Sequence, residues 1–565
     1  MQQSRHLRPG RSPHRRAGRT PLAVAAVVAL LTGGVLVAQN LAGAGGCGGG
    51  SSGIQLTVAA DPAIAPAVRE VAGEWTASEQ PEVDRRCVTV EVTEAATAEV
   101  ASALAISAGG FVDVGRPSPA PDAPAGDVPS VWVPDSSYWL ARLRTVSRTM
   151  FEPDPVLLAA SPIMLAGTPA GSELIRGGPA VSPAALREPL LAALAAEQPL
   201  PVGLAEPRRD TAGLVGAGWL EQALVTAEAE LPNLVAAFRQ LDDAPPDTAT
   251  VLAGLSDQPR LVPASEQAVT SHQRAGPATP VTAVPVVDAP SLDFPYAVLS
   301  RQPRDVQAAA GQLRVVLTGS AEVFERYGFR PPAPATPLGT GAEQGVVGPP
   351  EQLTQTLRIW TSATRDARVL SVVNVNASMR EPMPTGDGDP VPRIEVFRAT
   401  ALAGMQLFTP GTDLGHWEYA VALDGERDWI VGVPIATLTP EHRQAVEQAV
   451  QAVQPVGTGQ AALFETLLAA YRELQEGYDP TRSNTLIMWT DSGGTKAGGL
   501  TLDETLAELE RTADVTRPIR VILLGLGPEA DMPQLEAIAA ATGGGAFHLT
   551  NPGEIALVFL RALLT

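Results

Sequence analysis

The chain has 565 residues, 45% of them apolar and 18% charged, with a formal net charge of -21. That is enough length for two or three domains and enough apolar material for their cores. The first twenty residues hold six arginines and no acid, so the body is more acidic than the total, which argues against a nucleic-acid partner because such binding rests on Lys and Arg neutralising phosphate. Common enzyme signatures are missing too: the sequence has no G-x-x-x-x-G-K-[ST] and no H-E-x-x-H, its one G-x-S-x-G match is the Gly-rich run Gly49 to Gly53, and its six histidines are isolated from one another.

Residues 1–20 read as a basic cytoplasmic segment. Arg5, Arg8, Arg11, Arg15, Arg16 and Arg19 precede Pro21 to Leu41 (PLAVAAVVALLTGGVLVAQNL), an apolar stretch that reads either as a transmembrane anchor or as a cleavable signal peptide. Positive-inside logic sends the bulk of the chain outward, so a cell-membrane or exported protein is expected, with the membrane as one partner. Residues 42–53 are a Gly-rich linker. Cys47 has two readings, a lipid-bearing cysteine after Ala44-Gly45-Gly46 or a disulfide with Cys87, the only other cysteine, and the disulfide is expected.

From residue 54 strands and helices alternate. Ile54 to Ala59 is a predicted strand, DPAIAPAVREVAGEW a helix, Cys87 to Val92 a strand, Ala96 to Ser107 a helix and Val128 to Val133 a strand, a pattern that predicts a parallel sheet with helices on both faces. Further on, Pro183 to Ala196 and Gly218 to Phe238 are predicted helices, each kinked or split at its internal proline, Pro189 or Pro232. Several segments in this order, LTVAADPAIAPAVREVAGEW, DVPSVWVPDSSYWL, SPIMLAG, LVPASEQAV, DFPYAVL and VFERYGFRPP, resemble the two-lobed extracellular solute-binding proteins of bacterial importers. The resemblance covers 54–332 and implies a small solute held between the lobes. The matching positions are Asp135, Ser136, Tyr138, Ser161, Arg208, Thr211, Ser265 and Glu266. The competing reading puts Tyr138 in a core and makes Ser265 and Glu266 an ordinary helix start.

Residues 333–352 are too rich in Pro and Gly for a helix or central strand and mark a boundary. In 353–565 the alternation resumes around Arg368 to Val375 (RVLSVVNV), a run expected to be a strand buried on both faces and followed at once by a polar loop. Ligands bind at that carboxyl edge in open α/β sheets. Predicted helices run from Ile394, Pro440, Gln460, Thr501 and Pro552, with strands at Gly415 to Leu423, Thr485 to Thr490 and Ile519 to Gly525. VVNVNASMR, GQAALFET and LIMWTDSG resemble, in that order, the three motifs of the von Willebrand factor A domain, whose metal-ion-dependent adhesion site binds Mg²⁺ and a partner's carboxylate. Asn374, Asn376, Ser378 and Asp491 are the matching positions, and Thr458, three residues before the ungapped threonine position, is the substitute if the loop is remodelled. The family's first aspartate is here Asn374, its first serine Asn376, and its threonine falls on Ala461, so the site is degenerate, and Mg²⁺ is the one cofactor the resemblance admits.

The expected fold class is therefore α/β: a two-lobed solute-binding-like domain followed by a doubly wound, Rossmann-like von Willebrand factor A domain. The expected function is non-enzymatic, a cell-envelope binding protein that recognises a protein partner through the second domain and a small ligand through the first. The alternative is a solute-capture component of a membrane transport system.

Overall fold

A computed structural model describes residues 53–549 except 116–127, 154, 176–179, 228–229, 257, 333–349, 386–387, 407, 410, 457–460, 493–495 and 515. The apolar stretch from Pro21, the Cys47–Cys87 pairing, Thr458 and the expected helix from Pro552 fall outside those residues in whole or in part. The described residues from Ile54 onward form one compact unit. Among the described residues no helix is long and apolar enough to cross a membrane.

Among the described residues the first module has ten strands: β1 (Ile54–Ala60), β2 (Glu82–Val83), β3 (Arg86–Glu94), β4 (Val131–Val133), β5 (Val156–Leu157), β6 (Ser161–Gly167), β7 (Leu261–Ser265), β8 (Thr282–Pro285), β9 (Ser291–Leu292) and β10 (Pro295–Val298). They make two sheets. One has the order β2-β3-β1-β4-β10-β5, and the other β7-β6-β8 with β9 paired to β6. The chain crosses between the sheets twice, from β5 to β6 and from β9 to β10, and Ala160 bridges to Arg330 beside the first crossing.

Alternation along the strands explains the layers. Ile54, Leu56 and Val58 of β1 turn to the core that receives the helix Ala65–Ser78. Ala59 and Trp132 turn to the opposite face, under the helices Thr97–Ser107 and Ser137–Val146. In the second lobe the helix Thr211–Leu224 lies hard against β7: a Cβ on Gly216 would meet Pro263 Cγ at 2.3 Å. The expected helix over Gly218 to Phe238 is two helices, Thr211–Leu224 and Leu231–Gln240, and Pro232 sits in the first turn of the second, where its missing N–H costs nothing.

One element escaped the sequence reading. Immediately after the Pro/Gly stretch, Pro350–Thr364 is a helix, and it packs on the 211–224 and 231–240 helices of the second lobe. Its Leu353, Leu357, Ile359, Trp360 and Ala363 belong to the core of the first module. Trp360 is fully buried, edge-on to Phe238 at 5.0 Å between ring centres, and its Nε1–H donates to Glu206 Oε1 at 3.0 Å.

The second module hangs from that helix. Its strands are β11 (Ala367–Asn374), a hairpin of β12 (Pro382–Thr385) and β13 (Gly388–Pro392), then β14 (Asp413–Tyr419), β15 (Trp429–Thr437), β16 (Ser483–Thr490), β17 (Arg520–Leu526) and β18 (Gly545–Leu549). The sheet order is β15-β14-β11-β16-β17-β18, parallel throughout except for β15. Leu370, Val372, Leu486 and Met488 face a core shared with the helix Leu463–Glu476, while Val369, Val373, Ile487 and Trp489 face another shared with Arg393–Met405 and Pro440–Ala452. Burial on both faces is what the uninterrupted apolar run of β11 predicted.

Candidate functional site

Two places gather the polar residues singled out in the sequence. The first is the carboxyl edge of the second sheet. β11 ends at Asn374, whose Oδ1 accepts the Asn376 N–H at 3.0 Å and whose Nδ2 donates to Asp491 Oδ1 at 2.7 Å. Asn376 caps the short helix Ala377–Arg380 by accepting the Ser378 N–H at 3.0 Å, and the Ser378 hydroxyl reaches both Asn376 and Asp491. Asp491 follows β16 and has no solvent exposure.

A residue that the sequence reading passed over completes this cluster. Arg393, 3% exposed, opens the helix Arg393–Met405 and donates from Nη1 to Asp491 Oδ2 at 3.0 Å. Its Nη2 lies against Glu529 and 3.4 Å from Glu381. Gly527 makes room: it has φ +83°, and a Cβ there would meet Arg393 Nε at 2.7 Å. Both Asp491 oxygens are thus engaged by Asn374, Ser378 and Arg393. A guanidinium holding a carboxylate in that way repels a divalent ion and uses the oxygens the ion would need. The donor set does not fit Mg²⁺, and no group of three His, Cys, Asp or Glu among the described residues is placed to hold a metal. The sequence did carry one signal: a cation at the first position of a helix opposes the helix dipole and needs a dedicated carboxylate.

The second place is the seam between the lobes of the first module. Asp135 follows β4, and its Oδ2 accepts the N–H of Thr211, at the start of the 211–224 helix in the other lobe, at 3.4 Å. Its Oδ1 is buried without a protein partner. The Asp135 N–H donates to Thr97 Oγ1 at 3.2 Å, and that hydroxyl donates to Asp61 Oδ2 at 2.7 Å. Asp210 caps the 211–224 helix through Gly213 N–H at 2.8 Å and accepts the Thr248 N–H at 2.8 Å. Trp139 Nε1–H donates to Thr211 Oγ1 at 3.1 Å. Asp293 accepts the N–H and hydroxyl of Ser137 at 2.7 and 2.6 Å.

These carboxyls titrate high. Burial pushes Asp61 up to about 6, with Asp210 and Asp247 adding repulsion against the bonds from Ala63 and Thr97. Burial, then Asp61 and Asp210, raise Asp135 well above the carboxylate range, and burial raises Asp210 and Asp293 as well. The seam is therefore rich in acceptors, and its helix start already faces a carboxylate of the chain itself. A free anion is disfavoured there; a cation or a hydroxyl-bearing solute fits the charge.

The other expected positions do different jobs. Ser136 caps the helix Ser137–Val146 by accepting the Tyr138 N–H, and Ser161 Oγ accepts the Gln267 N–H at 2.9 Å. Ser265 caps the helix Glu266–Arg274, and Glu266 clamps Arg330 with bonds of 2.5 and 2.7 Å, so this pair opens a helix. Arg208 turns to Glu206, at 2.7 and 3.2 Å, rather than to the seam. Tyr138 is buried, with its ring in the core. Asp61 and Asp293 were missed because each reads as a local turn or cap in sequence, and only the tertiary fold sets Asp61 and Asp210 near Asp135.

Residues 56–330 match the family model for bacterial extracellular solute-binding proteins. That match spans the first module from β1 to Arg330. Over 596 residues the chain is 25% identical to two uncharacterized proteins of Mycobacterium tuberculosis, from strains CDC 1551 and H37Rv, spanning 95% of this chain and 83% of each relative. Among solved structures it is similar to the sulfate-binding protein SubI from Mycobacterium tuberculosis H37Rv, with a TM-score of 0.35, 16% identity, and coverage of 49% of this chain and 87% of that one. It is similar also to a von Willebrand factor type A protein from Catenulispora acidiphila, with a TM-score of 0.28, 16% identity, and coverage of 35% and 42%.

Proposed function

We propose that the chain is an exported, non-enzymatic binding protein whose solute-binding domain closes on a small cationic or hydroxyl-rich solute at the seam between its lobes. The observation that carries this reading is Asp135, a carboxylate at the carboxyl end of β4 with one oxygen on the start of a helix from the other lobe and the other oxygen buried without a protein partner. The family match over 56–330 supports it. Opening the lobes would free Asp135 from Thr211, and a donor-bearing solute would take that contact beside Asp61 and Asp210.

Thermal-shift measurement on the full chain tests this with polyamines, basic amino acids, neutral sugars and inorganic oxyanions. A ligand at about a hundred times its Kd adds about 2.7 kcal/mol. Stabilisation by a cationic or hydroxylic solute that Asp135→Asn abolishes is expected. No shift with any of these solutes, or a shift that Asp135→Asn leaves intact, overturns the reading.

A second reading concerns the von Willebrand factor A-like module, and Arg393 favours it. With a guanidinium in place of a cation, the edge formed by Asn374, Asn376, Ser378 and Asp491 would dock a protein partner as a plain polar surface, in a manner indifferent to chelators. A partner whose binding disappears in EDTA counts against this reading.

A further inference from the structure

On the far side of the second module, at the amino ends of its strands, lies a cleft of about 920 Å³ between the two modules. One wall is the helix Ser137–Val146 of the first lobe, another is the helix Pro350–Thr364, and the third is the start of β16 and β17. In a chain of net charge -21, five arginines line it, Arg142, Arg358, Arg365, Arg482 and Arg520, against only two carboxylates, Asp113 and Glu351.

Several of these arginines are fixed before any ligand arrives. Arg142 lies over the Trp139 ring at 4.6 Å and donates to the Asp113 carbonyl at 2.6 Å. Arg365 donates to the Thr481 carbonyl at 3.2 Å and stands 3.7 Å from Asp113 Oδ2. Arg482 donates from Nε to Asp479 at 3.0 Å, while its Nη1 is buried without a protein partner. Arg358 is exposed on its helix. Burial, with repulsion from Arg358 added, pushes the Arg520 guanidinium down to about 10, and its Nη1 donates to Ser362 Oγ at 3.4 Å. Tyr138 also lines this cleft, and its hydroxyl is buried and unpartnered.

We infer that this cleft is a binding site for a multivalent organic oxyanion, a phosphorylated or polycarboxylate small molecule, held by Arg142, Arg358, Arg482 and Arg520 with the Tyr138 hydroxyl as a further donor. The volume falls in the range of small-molecule pockets, of about 300–1,000 Å³, and is far more than one inorganic anion fills. Guanidinium forks match phosphate and carboxylate oxygens two at a time, which a lysine does not. Because its walls come from both modules, the anion would tie the solute-binding domain to the von Willebrand factor A-like module. The site lies apart from Asp135, but one wall belongs to the first lobe and another packs on the second, so a change in the angle between the lobes would reshape it.

Calorimetric titration of the full chain with pyrophosphate and, separately, with citrate tests the inference. Binding by either anion is expected, weakening as ionic strength rises. Binding of pyrophosphate alone assigns a phosphate ligand, and binding of citrate alone a carboxylate one. Arg358→Glu, at an exposed position, weakens binding by about tenfold, the order expected when one charged contact is reversed, and Ala141→Trp, which fills the cleft, abolishes it. Asp135→Asn leaves it unchanged. No heat from either anion, or equal affinity in the parent, Arg358→Glu and Ala141→Trp proteins at matched thermal stability, overturns the inference.

Discussion

The Arg393 guanidinium lies 3.0 Å from Asp491, Nη1 to Oδ2, and both side chains are closed off from solvent. Asp491 is the one carboxylate left at the expected metal position, and an internal cation neutralises it. Electrostatic balance at this edge is therefore covalently built into the chain rather than supplied from solution.

Arg393→Ala leaves the Asp491 charge buried beside Asn374 and Ser378 alone. Removing one partner of a buried ion pair costs about 3–5 kcal/mol. Urea unfolding followed by tryptophan fluorescence measures it, and Trp489, in the same module, is fully buried. A loss below about 1 kcal/mol would mean that the pair is solvated in solution.

The parent protein is expected to keep the same Tm in EDTA and in excess Mg²⁺. The double variant Asn374→Asp, Arg393→Ser restores a carboxylate and removes the guanidinium, so its Tm rises with Mg²⁺ by linkage. Magnesium that stabilises the parent would show that the arginine does not occupy the ion's place.

Trp360 joins the modules, so Trp360→Ala should be felt in both. It removes a fully buried indole and leaves Glu206 without that donor, at a cost of about 3–5 kcal/mol. Differential scanning calorimetry should show the single transition of the parent split into two as residues after Thr364 melt apart from the first module. A single transition, merely shifted, would mean that other contacts couple them.

The seam carboxyls predict an inverted pH response. Asp61 titrates at about 6 when folded but near 3.8 when unfolded, and Asp135 is raised further above that ordinary value. Between those pH values the folded state holds protons that the unfolded state releases, so these groups cost no stability below pH 3.8 and progressively more as pH rises through the folded value. Asp135→Asn should raise Tm at pH 7, with the gain fading toward pH 4. His416 titrates in the opposite sense, since burial lowers it to about 4, so stability falls from pH 6.5 downward; comparing variant with parent at each pH cancels that contribution. An Asp135→Asn protein no more stable than the parent at pH 7 would refute the cost of burying that charge beside Asp61 and Asp210.

How much of this was legible beforehand follows from the range of each interaction. β11 announced itself because a strand buried on both faces must be apolar at every position, and its loop could be placed because a parallel strand delivers the next residues to the sheet's carboxyl edge. Asn374, Ser378 and Asp491 converge as spaced motifs suggested. The Pro350–Thr364 helix was passed over because it follows a Pro/Gly stretch and its apolar face had no visible owner.

The sequence by itself determined the α/β alternation and the strand ends that carry polar loops, because those depend on local periodicity and backbone restriction. Tertiary structure alone decided that Arg393 meets Asp491, that Asp135 faces Thr211 and that five arginines share one cleft. Charges found at distant chain positions carry no record of their partners: Coulomb energy depends on distance in space, and only packing sets that distance.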